Sequence, residues 1–486
     1  VIAALVLGPA LAAALAFGTR SRRLREVWLL GTALGHVGLV GALAWHPPAA
    51  EPGAWLGLDA LGLLFLVVVS ALFALVAAYT VGYLRREPVD PRGDFDEGFL
   101  FSNEPESAFV GCLLLFLATM SLVTVSRHLG LLWVAVEATT LASAPLIYFH
   151  RHHRSLEATW KYLLVCSVGI GFALLGNVAL VAAAAGRAGS SLALDALLRL
   201  APELDRGWLD AAFLLFLVGY GTKMGLAPMH TWLPDAHSES PSPVSALLSG
   251  ALLNCAFLGI LRAHEVLDAA GAPELAAAPL RVFGLLSMAV GAFFLVRQPD
   301  YKRMLAYSSV EHMGIVALGV GIGGTAVFGA MLHALSHSLA KAALFLVAGN
   351  LLGRYASKRA PDVRGALALQ PRSAALWIAG LLAIAGMPPF ALFLSEFTIL
   401  RAALDSRPWI VLPFLGLLAV AFAAMTSVGL PMALGEAPAG VPRAREPRSA
   451  LWPPALLALV LLGLGLYLPA PVRSLLEGAA HVIGGR

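Results

Sequence analysis

Residues 219–243 read "GYGTKMGLAPMHTWLPDAHSESPSP", between the apolar runs "WLDAAFLLFLVGY" and "VSALLSGALLNCAFLGILR". The stretch holds four prolines together with Lys223, His230, Asp235, His237 and Glu239. Irregular backbone at membrane depth is tolerated only where it is buried in protein or lines a water-filled cavity. The stretch therefore reads as a membrane helix broken beside water, with ionisable groups at the break.

The composition agrees with that reading. Hydrophobic residues make up 59% of the 486, charged residues 13%, and mean hydropathy is +0.80. A soluble domain carries about 25% charged residues, so the chain is an all-α integral membrane protein. Apolar runs predict spans near 1–17, 27–45, 58–83, 108–126, 129–149, 162–185, 211–228 and 242–264. Six more follow near 281–297, 304–323, 325–352, 373–397, 408–434 and 451–470, about 14 in all. The first run shows neither a basic leader nor a cleavage site, so it reads as a retained span with a trimmed start. Of the 33 basic residues, one set of loops holds 21 and the other 10, with Lys223 and Lys341 inside spans. The positive-inside rule puts the richer loops in the cytoplasm and both termini outside. The net charge of +4 follows this loop usage and does not suggest nucleic acid.

Cys112, Cys166 and Cys255 lie far apart in apolar runs, which excludes a Cys-ligated cluster within the chain. Neither a dinucleotide-binding glycine turn nor a Walker lysine motif occurs. No cofactor or metal is expected, and the energy source is a partner or an ion gradient.

The break at 219–243 has a counterpart. Residues 386–397 read "GMPPFALFLSEF", a second Gly/Pro interruption followed by the membrane-depth acid Glu396. Grouping spans 4–8 and 9–13 into two five-helix units puts a break on the fourth helix of each, spans 7 and 12. Five is odd, so the second unit is inverted, and paired broken helices in inverted units point to a transporter's ion site. The expected divisions are 1–107 for the first three helices, 108–265 and 266–434 for the two repeats, and 435–486 for the last helix.

Only five of the basic residues are lysines: Lys161, Lys223, Lys302, Lys341 and Lys358. Arg never releases its proton in a protein, whereas a buried Lys does so readily. A lysine at mid-membrane costs about 2.5–3.5 kcal/mol even on insertion scales, so Lys223 and Lys341 have work to do. Lys161 and Lys358 read as topology signals. Glu137, in "VEATTLASAPLIYF", lies about 12 Å into its span and is the obvious partner for Lys223. Separating that pair would let the lysine release a proton, and the alternative is a static ion pair that fixes packing. His333, His337 and Lys341 recur at i, i+4 and i+8 on one helical face, with imidazoles that titrate near neutrality. The spacing also suits zinc, but no third ligand stands out and Lys341 would repel the cation. Glu311 and His312 form another acid–base pair, and Lys302 joins the candidate proton-transfer set. Asp235, His237 and Glu239 read as an entrance funnel or a solvated loop. The cluster "HRHHR" at 150–154 reads as a cytoplasmic anchor.

The segments "VEATTLASAPLIYF", "TKMGLAPMHTWLPDAHSESPSPVSALLSG", "YKRMLAYSSVEHMG", "HALSHSLAKAALFLVAGNLL" and "GMPPFALFLSEFTIL" carry a family resemblance. They resemble the antiporter-like proton-translocating membrane subunits of respiratory complex I and of membrane-bound [NiFe] hydrogenases, over about 100–400. Within that family the likeness is greatest to the hydrogenase-4 component F branch. The resemblance implies fourteen helices in two inverted repeats, with Glu137 and Lys223 in the first, His333, His337 and Lys341 as the central relay, and Glu396 as the terminal group. Where several relatives carry His or Lys on the eighth helix, this chain has Ser249 and Asn254, so water would link the halves. About 16 residues follow the last run, too few for the long lateral helix of complex I's distal subunit. The implied function is proton transport driven by hydrophilic [NiFe] and iron–sulfur partner subunits, in a bacterial or archaeal plasma membrane. A subunit of a cation/proton antiporter or of NADH:quinone oxidoreductase, with sodium as the alternative ion, and a passive scaffold are the rival readings.

Overall fold

A computed structural model of the chain describes residues 1–47, 53–87, 92–93, 98, 100–187, 191–437, 443 and 445–484. Part of the loops 84–107 and 435–450, which contribute to the charge asymmetry, lies outside the described residues.

The molecule is a helical bundle. Helices α1 (Ile2–Gly18), α2 (Arg22–Trp45) and α3 (Ala60–Leu84) come first, then a two-residue ladder, β1 (Arg92–Gly93) with β2 (Leu100–Phe101). Next are α4 (Glu106–Val125), α5 (Leu129–Ile147), α6 (His153–Ala183) and the short α7 (Leu194–Leu200). The first broken helix consists of α8 (Arg206–Met224) and α9 (Trp232–Glu239). After it α10 (Ser242–Leu247) continues through a π-helical turn, Leu248–Leu252, into α11 (Leu253–Ala269). The second half holds α12 (Pro273–Leu295), α13 (Tyr301–Ile322), α14 (Thr325–Tyr355) and α15 (Ala366–Leu369). The second broken helix is α16 (Pro371–Ile384) with α17 (Ala391–Ser406), followed by α18 (Val411–Leu434), α19 (Arg448–Leu466) and α20 (Ala470–Val482).

Among the described residues, eleven helices are long and apolar enough to cross a membrane, against the fourteen expected. The other three runs fall on α1, on α8 and on the α16/α17 pair. The breaks explain part of the difference, because they divide an apolar run into pieces of 14 and 16 residues. The amphipathic α20 was not foreseen; it occupies the segment after the last apolar run.

Several helix starts are written in the sequence. Asp59, Asp205 and Asp300 each accept a first-turn N–H, from Gly62 at 2.8 Å, Trp208 at 3.0 Å and Lys302 at 2.7 Å. A carboxylate there satisfies an orphan donor and faces the positive end of the helix dipole. Glu446 does the same for α16 from a distant loop, accepting from the N–H groups of Arg372 at 3.0 Å and Ser373 at 2.7 Å.

In lipid no hydrophobic gain drives helices together, so close backbone approach through small residues matters more. Gly219 of α8 abuts the Ala173 backbone on α6, and Gly284 of α12 abuts Gly314 on α13. A Cβ at either glycine would overlap the neighbouring main chain. The segment α10–α11 is enclosed from Ser242 to Leu267 and α14 nearly so, whereas α2 and α18 are peripheral. The polar residues on α11 and α14 therefore sit at the centre of the bundle.

One end of the bundle is closed by ion pairs. Arg262 donates to both carboxylate oxygens of Asp59, at 2.6 and 2.8 Å, and to Glu265 at 3.0 Å. Arg127 donates to Asp59 at 2.6 Å and to Asp195 at 2.5 Å. Burial would raise the Asp59 carboxyl, but the Arg262 and Arg127 charges and the Gly62 N–H override it and hold it well below the usual carboxylate range.

Candidate functional site

The first polar cluster forms where α5, α6 and α8 meet. Lys223 is fully buried, and its Nζ donates to Thr140 Oγ1 at 2.7 Å and to Tyr162 Oη at 2.6 Å. Tyr162 Oη lies 2.6 Å from Ser143 Oγ. Glu137 stands one step further out. It accepts from Thr140 at 3.3 Å and from the exposed Ser167 at 2.7 Å. The expected direct Glu137–Lys223 ion pair is therefore replaced by a threonine-bridged one. Glu137 turns to the half-open edge of α5 beside Ser167, whereas Lys223 enters from the enclosed side.

The break after Lys223 is held by a glycine turn and by side-chain bonds to its backbone. Gly225, at φ +83°, turns the chain out of α8 in the left-handed region that favours glycine. Trp232 Nε1 donates to the carbonyl of Thr222 at 2.8 Å, and Ala227 N donates to Ser287 Oγ of α12 at 2.9 Å. These bonds serve backbone groups left without i→i−4 partners where the helix ends. His230 lies at the break with its ring 6.3 Å from those of Phe294 and Tyr307, away from Lys223's partners.

The funnel expected from Asp235, His237 and Glu239 takes another form. The three lie on α9 and not in a solvated loop. Asp235 pairs with Lys161 at 3.0 Å and Arg303 at 2.6 Å. Glu239 is buried, accepts from Lys358 at 2.8 Å through each oxygen, and lies 3.7 Å from His152. Lys161, which lies on α6 and not in a loop, and Lys358 are thus ion-pair partners. In the basic cluster at 150–154, His152 also caps α6, accepting from Ser155 N at 3.2 Å. No hydrogen bond or ion pair joins Asp235 or Glu239 to Lys223 among the described residues. Lys302 is buried and donates to the carbonyls of Ser238 at 2.9 Å and Ser240 at 2.6 Å, at the C-terminal end of α9 where a cation is favoured. With Glu239 and Lys358 it lines a cavity of about 90 Å³.

His237 is the exception on α9. It is fully buried between Trp232, 6.4 Å between ring centroids, and Phe345 of α14, 5.2 Å away. Trp232 in turn packs at 5.0 Å on Tyr162. His237 therefore lies between the first cluster and α14, and neither ring nitrogen has a partner among the described residues. Beside it, the π-helical turn carries Ser249, 2.9 Å from Ser309 of α13, and Asn254 on α11 donates to Ser338 of α14 at 2.7 Å. π-Helical turns recur at functional sites.

The second cluster gathers residues from α13, α14 and α17. Lys341 is buried and donates to the Leu305 carbonyl at 2.6 Å and to Ser308 Oγ. His312 Nδ1 and His333 Nε2 are 2.9 Å apart, and His333 Nδ1 is 2.9 Å from Ser395 Oγ. His337 lies 5.3 Å from His312 between ring centroids. The face His333–His337–Lys341 thus looks onto α13. Among the described residues Glu311 and His312 do not bond each other: the histidine turns to His333, and Glu311 Oε2 is buried without a partner. Gly386, at φ +68°, makes the second break, and a Cβ on it would collide with the Glu396 carboxylate. Glu396 Oε2 thus packs into the space the break creates.

Sequence reasoning passed over the hydroxyl partners Thr140, Ser143, Tyr162, Ser308, Ser309 and Ser395. Their signal was proximity in the chain: Thr140 follows Glu137 by one helical turn, and Ser395 adjoins Glu396.

A transmembrane bundle with two broken helices and with Lys223 and Lys341 buried along its interior defines an antiporter-like membrane subunit. Residues 126–423 match the family described as NADH:quinone oxidoreductase/Mrp antiporter, transmembrane. The chain belongs to that family. It is 36% identical over 414 residues to a hydrogenase-4 component F homolog of Methylacidiphilum infernorum, covering 84% of this chain and 82% of the relative. It is 32% identical over 373 residues to NADH-quinone oxidoreductase subunit N of Desulforudis audaxviator, covering 75% and 69%. In fold it matches a chain of the membrane-bound sulfane sulfur reductase, an archaeal respiratory membrane complex, with TM-score 0.88 and 22% identity over 100% of this chain and 98% of that one.

Proposed function

We propose that the chain moves protons across the membrane as a subunit of a hydrogenase-type respiratory complex, driven by redox chemistry in [NiFe] and iron–sulfur partner subunits. The hydrogenase assignment is supported by the relative named a hydrogenase-4 component F homolog. Residues 108–265 and 266–434 act as the two inverted units, with both termini on the outer side. Charge entering at Glu137 shifts Lys223. The shift passes by way of His237 and water near Ser249 to Lys341, then through His337, His312 and His333 to Glu396. Lys302, in its cavity, feeds the centre from the loop face, and Asp235 and His230 flank that entrance.

One observation carries this reading. Lys223 and Lys341, the two lysines inside the predicted spans, are held by hydroxyl or carbonyl oxygens, Thr140 and Tyr162 for Lys223, Ser308 and Leu305 for Lys341, and neither by a carboxylate. A hydroxyl accepts from an ammonium and donates to a neutral amine, so such a site tolerates both protonation states. A purely structural lysine would be better served by a buried carboxylate in contact.

The test is proton uptake by inverted vesicles bearing the assembled complex. Lys223→Arg should fail almost as completely as Lys223→Ala, because Arg keeps its charge but never releases its proton. If Lys223→Arg assembles and pumps like wild type, the lysine is only a fixed charge and the proposal fails.

A further inference from the structure

Three helices bring ligating side chains to one point in the second cluster. His312 of α13, His333 of α14 and Glu396 of α17 each place a ligand atom within 4.8 Å of the other two, and all three residues are buried. We infer that these residues form a binding site for a divalent cation of the zinc class, and that its occupation blocks the second cluster. The binding rests on the donor set alone; the block rests on the proton relay proposed above.

The donor chemistry selects the metal. Two imidazoles and one carboxylate make a set that Zn²⁺ takes in three-ligand sites with an open fourth position. Imidazole donors suit zinc and its transition-metal neighbours, whereas Mg²⁺ and Ca²⁺ require oxygen shells. The open position has a candidate of its own. His337 lies 5.3 Å from His312 between ring centroids, and neither of its nitrogens has a partner among the described residues.

The two imidazoles need little change. His312 Nδ1 and His333 Nε2 are 2.9 Å apart, sharing a proton. Tetrahedral ligation at metal–nitrogen distances of about 2.0–2.1 Å places ligand atoms about 3.3 Å apart, so the rings would open by a few tenths of an ångström. Ser395 Oγ already holds the other nitrogen of His333 at 2.9 Å, the kind of outer contact that orients a ligating ring. Glu396 Oε1 is buried without a partner among the described residues, which leaves the carboxylate free to take a metal. Lys341 follows His333 by eight residues on α14, roughly 12 Å along the axis, so it flanks the site without entering it. A bound cation would take the shared proton's place and hold both imidazoles, removing them from proton exchange.

Zinc itself is the probe, added to the complex purified in mild detergent with a histidine-free tag. Elemental analysis after gel filtration, with X-ray absorption at the zinc edge, reads stoichiometry and ligand type. Wild type should retain one zinc more than His312→Gln and Glu396→Gln, with imidazole scattering that both variants lose, while Lys223→Ala retains it. Glu396→Gln is nearly isosteric and carries the comparison if His312→Gln does not assemble. In vesicles, zinc should reduce wild-type proton uptake about tenfold or more, and a chelator should restore it. Equal zinc retention by wild type and both variants overturns the site. Retention without loss of uptake supports the site and overturns its coupling to the relay.

Discussion

Lys223 and Lys341 share complete burial and an environment without a contacting carboxylate, but they differ in what lies one shell away. Around Lys223 the neighbours are hydroxyls, Thr140, Tyr162 and Ser143, and the nearest bonded acid, Glu137, stands at the half-open edge beside Ser167. Around Lys341 and its α14 face the neighbours are three imidazoles and two buried acids, Glu311 and Glu396. Hydroxyls relay protons but do not hold them near neutrality, whereas imidazoles do both. In the proposed reading, the first cluster is therefore a gate with one titrating centre, and the second is a relay with several.

The glycines at the two breaks should give the largest contrast. Gly386→Ala sets a methyl at positive φ and against the Glu396 carboxylate. Strain of about 1–3 kcal/mol is expected, with proton uptake down about tenfold or more. Gly225→Ala meets only the flexible end of Leu233, so it should destabilise similarly but keep more of its activity. Thermal stability and uptake measured side by side decide this; equal activity losses would make the two breaks equivalent.

Tyr162→Phe comes next. It removes one of two oxygens that hold Lys223, at a cost of about 1.5–3 kcal/mol for a bond to a charged donor. Uptake should fall while assembly persists, since Thr140 remains. Unchanged uptake would mean that the hydroxyl shell of the gate does not matter. In the second cluster, Ser395→Ala should cost only about 0.5–1.5 kcal/mol, because His333 keeps its bond to His312. A larger loss of uptake than in Tyr162→Phe would reverse the ranking of gate and relay. The smallest effect belongs to Lys161→Ala, at most about 1 kcal/mol for a solvent-facing pair. Asp235 retains Arg303, so vesicle uptake should be unchanged; a large drop would return Asp235 to the proton path.

The comparison also explains what was legible in the sequence. His333, His337 and Lys341 could be read because they share one helix and its periodicity. The two breaks could be read because Gly and Pro announce them within a single run. His312 with His333 and Glu396 could not, since their meeting depends on how α13, α14 and α17 pack. The same holds for Glu239 with Lys358, 119 positions apart in the chain. Charge alone pairs Lys223 with Glu137, and the threonine between them shows that at a buried site a hydroxyl competes with a carboxylate for an ammonium. The π-helical turn at Leu248–Leu252 has no composition signal, and α20 is too polar to resemble a span.

The ion clamp of Asp59, Arg127, Arg262, Asp195 and Glu265 has an electrical consequence. Each of its charges lies within 3.0 Å of an opposite one, so the pairs stay fixed in a transmembrane field. A charge moved through the full field exchanges about 2.3 kcal/mol per 100 mV, and a locked pair does not move. The clamp therefore contributes no gating charge, and any voltage dependence falls to groups that gain and lose protons.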